Sequence, residues 1–216
     1  VTVTGGQITA ISTDTSADAD NCAIKVYSNS STYFSVASTI SVIGNTDTSS
    51  TGAAPFAISS LSNYDYVRIG SFVMLHNVEL PSGYYMESGN SVTAISKTAP
   101  SSGKYAYYYD GVLTLNNYTY SGTSVAIRTY ANTRINLVGG SEVNHIISHA
   151  GNLVFTGTVL HIKANLGTAA INTNGDVFID GGRITVDSGY EGIYCESFYL
   201  RGGLAWVTAN YHGINF

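Results

Sequence analysis

Through residues 151–216 the apolar positions come two apart, in short bursts. In GDVFIDGGRITV (175–186), Val177 and Ile179, then Ile184 and Val186, alternate with residues of another kind. A period of two is the rhythm of a strand with one face in a core and the other outside. The bursts themselves recur. FIDGG at 178–182 returns as YLRGG at 199–203, an offset of 21 residues that also sets Gly181-Gly182 on Gly202-Gly203, Val186 on Val207, Gly192 on Gly213 and Ile193 on Ile214. Residues 151–174 fit the same unit with a short insertion, placing Gly157, Ile162 and Ile171 on Gly181, Val186 and Ile193. Residues 132–150 and 111–131 fit more loosely, with Ile147 and Ile127 at the position of Ile193.

Short alternating strands and glycine turns at a period near twenty residues are the mark of a solenoid. Helical repeats would need an apolar rhythm of 3.6, and leucine-rich repeats a Leu-x-x-Leu-x-Leu frame; neither is present. The predicted fold is all-β: a right-handed parallel β-helix of about 20–24 residues and three short strands per coil, its rungs about 4.8 Å apart. Residues 1–80 are expected to form further coils, since VTGGQITA (3–10) is similar to IDGGRITV and CAIKVY (22–27) to EGIYCE (191–196). Within them VRIGSFVML (67–75) reads as one apolar strand segment. Residues 81–104 hold two of the three prolines and break the register, as an insertion or junction; 105–216 are the second set of coils, in tandem with the first or continuous with it.

Stacking turns each strand position into a column. The expected inward columns are Leu153/Val177/Phe198, Phe155/Ile179/Leu200 and Ile162/Val186/Val207. Two outward columns, Val154/Phe178/Tyr199 and His161/Thr185/Trp206, carry aromatic rings towards water. Charges also fall one rung apart: Asp180 beside Arg201, Lys163 beside Asp187, Glu191 beside His212. Such exposed pairs help fix register and contribute only about 0–1 kcal/mol each.

Composition narrows the function. Charged residues are 11%, far below the usual quarter, and the net charge is −5, so no basic footprint for nucleic acid exists. No apolar run is long enough to span a membrane as a helix. The wealth of Ser, Thr, Tyr and Gly suits an extracellular or surface-displayed bacterial protein. Cys22 and Cys195 fall in coils too far apart for a bridge within one chain. TDTSADADN offers Asp14, Asp18 and Asp20 as oxygen ligands for a hard cation such as Ca²⁺, against the plainer reading of a solvated turn. Inverting glycoside hydrolysis needs two facing carboxylates; the fragments NTD (45–47), HIK (161–163) and YHG (211–213) do not assemble such a pair in order. His145 and His149 are four apart, but on a strand turning a corner, not on one helix face.

The aromatics are the strongest chemical signal. KYAYYYDG brings Tyr105, Tyr107, Tyr108 and Tyr109 together, and Phe178, Tyr199 and Trp206 are expected to form an outward patch. Flat rings flanked by Asn, Ser and Thr suit stacking on sugar rings; a covering loop or another subunit is the competing explanation. Candidate carbohydrate-binding residues are therefore Trp206, Tyr199, Phe178, Tyr107, Tyr108 and Tyr109.

LTLNN (113–117), GDVFIDGGRITV (175–186) and the GI pairs at 192–193 and 213–214 give residues 105–216 a further likeness. This block resembles secreted β-helical, carbohydrate-binding-domain-like repeat proteins of gut Firmicutes. The resemblance implies the β-helix and a surface location; it supplies no catalytic residues. The expectation is a non-enzymatic structural or adhesive protein that binds polysaccharide or a surface protein, or assembles head to tail through open coil ends. The alternative is a lyase or hydrolase of pectin-like polymers.

Overall fold

The computed structural model describes residues 2–3, 8–12, 35–36, 41–46, 54–55, 63–64, 66–70, 72–89, 92–94 and 98–216. The chain divides into two compact units, 1–71 and 72–216, nine residues before the junction expected at 81.

The second unit is a β-solenoid of about five turns. Strand starts on one face pair as Val112↔Arg134, Thr133↔Leu153, Leu153↔Val177 and Val177↔Phe198, all parallel. A second row of strands closes each coil, with Ile127, Ile146, Ile171, Ile193 and Ile214 in one column. The coil at 177–194 has the three expected strands, Val177–Ile179, Arg183–Ser188 and Ile193–Tyr194. All three anticipated inward columns are in register, and their members from 153 to 186 are fully buried. Each such side chain withdrawn from water contributes roughly 1.5–3 kcal/mol. One column needs correction: the residue stacked on Ile171 is Ile146, and Ile147 points the other way, half-buried. A slip of one residue reverses every side chain on a strand, and two adjacent isoleucines hide it.

Polar side chains hold the corners. Asn132 Oδ1 accepts the Asn152 N–H at 2.8 Å and Asn152 Oδ1 accepts the Asp176 N–H at 2.9 Å, a short asparagine ladder. His145 is fully buried; its Nδ1–H donates to Ala169 O at 3.2 Å and its Nε2 accepts the Leu166 N–H at 3.0 Å. The turn between the first two strands of a coil needs glycine. Gly182 and Gly203 have φ of 83° and 79°, and a Cβ on Gly182 would meet the Thr158 carbonyl oxygen at 2.5 Å.

The described residues between 72 and 109 form a cap on the first coil. Val73–Leu75 and Val78–Leu80 form a hairpin through His76-Asn77, both with positive φ, as a tight two-residue turn requires. Val73–Leu75 runs antiparallel to Ile127–Tyr130 of the first coil. Tyr105–Tyr109 lies antiparallel between Tyr84–Glu87 and Val112–Asn116, turning at Asp110-Gly111. Both edges of the first coil are thereby paired, which answers the exposure of unpaired backbone groups that a solenoid end otherwise presents. Tyr118 pins the cap: its ring is buried, its hydroxyl lies 2.9 Å from His76 Nε2 and 3.3 Å from Met86 Sδ, and Tyr120 stacks on His76 at 3.6 Å. Burial, reinforced by Tyr120, pushes the Tyr118 phenol pKa well above its usual value.

In the first unit the expectation of parallel coils is not met among the described residues. Ile8–Ile11, Tyr66–Gly70, Ser41–Asn45 and Ala54–Pro55 form an antiparallel sheet in that order; only Thr2–Val3 and Ser35–Val36 pair in parallel. The apolar segment 67–75 is split between Tyr66–Gly70 here and Val73–Leu75 of the cap. Val67 and Ile69 are buried, and Arg68 Nη1 donates to Thr9 Oγ1 at 2.6 Å.

Candidate functional site

The solenoid presents two outer faces. On the first, strand alternation directs Val112, Arg134, Val154, Phe178 and Tyr199 outwards in one row. Beside it run Tyr85, Tyr107, Thr114, Asn136 and Thr156, from the cap onto the coils. The face spans seven strands, roughly 30 Å at one strand spacing each. Its middle mixes Val112 and Val154 with Thr, Asn and Arg, half-buried but for exposed Arg134; its ends carry aromatic rings.

At the far end Phe178 and Tyr199 stack with centroids 4.8 Å apart and planes 7° from parallel. The Arg201 guanidinium sits 4.4 Å from the Phe178 centroid and grips Asp180 with two hydrogen bonds, Nε to Oδ1 at 2.7 Å and Nη2 to Oδ2 at 2.9 Å. The faces of Phe178 are thus engaged within the ladder, whereas Tyr199 remains 44% exposed.

The second outer face carries the charge ladder and Trp206. Glu142, His161, Thr185 and Trp206 form one column. Lys163 falls beside Asp187 in register, as expected, but its ammonium bonds to Glu142 at 2.9 Å, while Asp187 takes His161 Nε2 at 2.8 Å. Both pairs lean diagonally across rungs. Asp180–Arg201 and Glu191–His212 pair as anticipated, the latter at 3.2 Å. Trp206 is 61% exposed. It points outward, so its exposure is unlike that of Leu200, an inward residue left 51% exposed at the edge of the coil Phe198–Asn215.

The Tyr run separates. Ala106 and Tyr108 join the core, with Tyr108 only 2% exposed, so Tyr108 is no surface ligand-binding residue. Tyr107 points outward yet is only 6% exposed, and burial pushes its phenol pKa up. Tyr109 stays exposed. Adjacent strand residues face opposite sides, so Tyr107 and Tyr108 could not have served one surface together. Asp14, Asp18, Asp20 and Cys22 lie outside the described residues. Cys195 is a buried free thiol whose pKa is raised by burial, with the Asp176 carboxylate adding to the rise. Among the described residues no group of three or more His, Cys, Asp or Glu side chains is placed to hold a metal, and no helix is long and apolar enough to cross a membrane. The asparagine ladder, His145 and the His76–Tyr118 clasp had no signature in the linear pattern.

Fold and surface define a capped parallel β-solenoid with aromatic outer faces. Comparison with family models, curated proteins and solved structures returns no match.

Proposed function

We propose that this is a non-enzymatic recognition module, secreted or displayed on a bacterial surface, that binds polysaccharide along the outside of its solenoid. The observation that carries this is Trp206: the largest apolar side chain in the sequence is turned out of the core onto a flat face, on the same coil as exposed Tyr199. An exposed indole is costly in water and is well suited to a sugar ring. On the first outer face, Thr114, Asn136 and Thr156 supply hydroxyl and amide groups at rung spacing, comparable to the repeat of a pyranose chain. The kinship with gut Firmicutes repeat proteins belongs to the same proposal.

The cleavage alternative has less support. Glu142, Asp180, Asp187 and Glu191 are each bound to a cationic or histidine partner rather than facing one another across a gap. Head-to-tail assembly is likewise not favoured, because the edges of the first coil are already paired with the cap. A glycan array with the wild type, Trp206→Ala and Tyr199→Ala tests the reading. The expected result is binding to a polysaccharide class that drops at least about tenfold in Trp206→Ala; equal binding by all three proteins would remove the aromatic faces from the account.

A further inference from the structure

The cap contains a half-open cavity of about 350 Å³. It is lined by the ends of strands Tyr84–Glu87 and Tyr105–Tyr109 and by Pro100 and Ser102–Lys104, and the Ser88 N–H donates to Lys104 O at 3.0 Å. Tyr85 and Tyr105 make its aromatic corner, with ring centroids 6.5 Å apart and planes at 76°. Glu87 stands directly across from Tyr105 in the register, and Lys104 and Ser102 complete the lining.

The polar groups around this cavity are uncommitted. Among the described residues, the Tyr85 and Tyr105 hydroxyls, the Ser102 hydroxyl, the Glu87 carboxylate and the Lys104 ammonium make no hydrogen bond or ion pair. On the coils several charged groups are paired, Glu142 with Lys163, Asp180 with Arg201 and Glu191 with His212, whereas around the cavity five polar groups are left over within one concavity. Convergent unpaired donors and acceptors beside aromatic walls, in a concavity of this size, are what a small-molecule site requires.

We propose that this cavity binds a single neutral pyranose unit. One tyrosine face supports the ring, the carboxylate accepts from its hydroxyls, and the ammonium and phenols donate to its oxygens. The two charges cancel, which favours an uncharged ligand rich in hydroxyls. Tyr85 and Tyr107 also head the outward row that continues through Thr114, Asn136 and Thr156, so the cavity lies at the cap end of the first outer face, whose far end carries Tyr199 on the same coil as Trp206. In that respect the inference rests on the polysaccharide reading above.

The test is NMR titration of the ¹⁵N-labelled chain with neutral methyl pyranosides, with the polysaccharide found on the array, and with a free amino acid. The backbone amides of Ser102, Gly103 and Lys104 report the cavity, and the Trp206 indole N–H, on the second outer face of the coil that carries Tyr199, reports the lateral surface of the solenoid away from the cap. A methyl pyranoside is expected to shift the cavity amides saturably, with affinity falling at least about tenfold in Glu87→Gln and in Lys104→Met and unchanged in Trp206→Ala. If the polysaccharide moves the indole while no sugar moves the cavity amides, the subsite is overturned and the lateral-face reading stands. Cavity shifts without any indole shift uphold the subsite and overturn the lateral face. An amino acid that shifts the cavity amides where no pyranoside does overturns the proposed ligand class. Both glutamate and lysine are exposed, so both variants are expected to keep the wild-type circular dichroism spectrum.

Discussion

Gly181 and Gly182 are adjacent in the chain and should respond in opposite ways to the same substitution. A Cβ at Gly181 meets nothing nearer than the Gly157 nitrogen at 3.8 Å, an ordinary contact, and its backbone lies outside the left-handed region. Gly181→Ala therefore mainly restricts the unfolded chain and should stabilise the protein by about 0.4–1 kcal/mol. At Gly182 the backbone is left-handed, and a Cβ would lie 2.5 Å from the Thr158 oxygen and 2.8 Å from the Gly157 oxygen. Both are backbone atoms of the preceding rung, so relief requires spreading two rungs that are hydrogen-bonded on either side of the turn. The left-handed conformation alone costs about 1–2 kcal/mol for a residue with a Cβ, and displaced backbone adds a similar amount. The sum, about 3 kcal/mol, corresponds to a loss of roughly 6–12 °C in melting temperature for a unit of this size. Urea and thermal unfolding followed by circular dichroism would measure both variants. If Gly182→Ala melts with the wild type, or if the two variants fall equally, the stacked-rung geometry at this turn is wrong.

Two further outcomes follow from buried titratable groups. Burial lowers the pKa of His145 and of His149, the latter helped by Arg128, so the unfolded chain binds more protons below the ordinary histidine value of about 6.5. Their stabilising contribution is complete above that pH and is lost as pH falls through it towards the lowered folded values; the urea midpoint should drop between about pH 7.5 and 5.5, and His149→Phe, which can keep the stack on Tyr130, should shallow the slope. A pH-independent midpoint would refute this. Cys195 should be silent to a thiol reagent until the coils open; in a Cys22→Ser background, labelling at the rate of an exposed thiol would show that the column end at Cys195 is not packed.

The solenoid was legible because stacking writes itself into the chain: an inward column such as Phe155/Ile179/Leu200 forces apolar residues at a fixed period, and Gly182/Gly203 mark the turn at the same interval. The cap was not legible, for two reasons. Its pairing of Val73–Leu75 with Ile127–Tyr130 is far apart in sequence and leaves no period. Its turn at His76-Asn77 lacks the glycine that makes Asp110-Gly111 recognisable. In the first unit, alternation is the same in parallel and antiparallel strands, so Ile8–Ile11 carried no sign of its antiparallel partner. The outward positions of Phe178, Tyr199 and Trp206 followed from alternation alone. The cavity at Tyr85, Glu87 and Lys104 did not, because its wall is the irregular segment 98–104.

Trp206 is the sole tryptophan in the chain, so its emission reports the second outer face of the solenoid without labelling. Titrating the protein with the polysaccharide selected on the array should shift that emission to shorter wavelength and saturate, with weaker affinity in Tyr199→Ala. Full binding by an independent assay with the Trp206 emission unchanged at saturation would contradict recognition along the outer face of the solenoid.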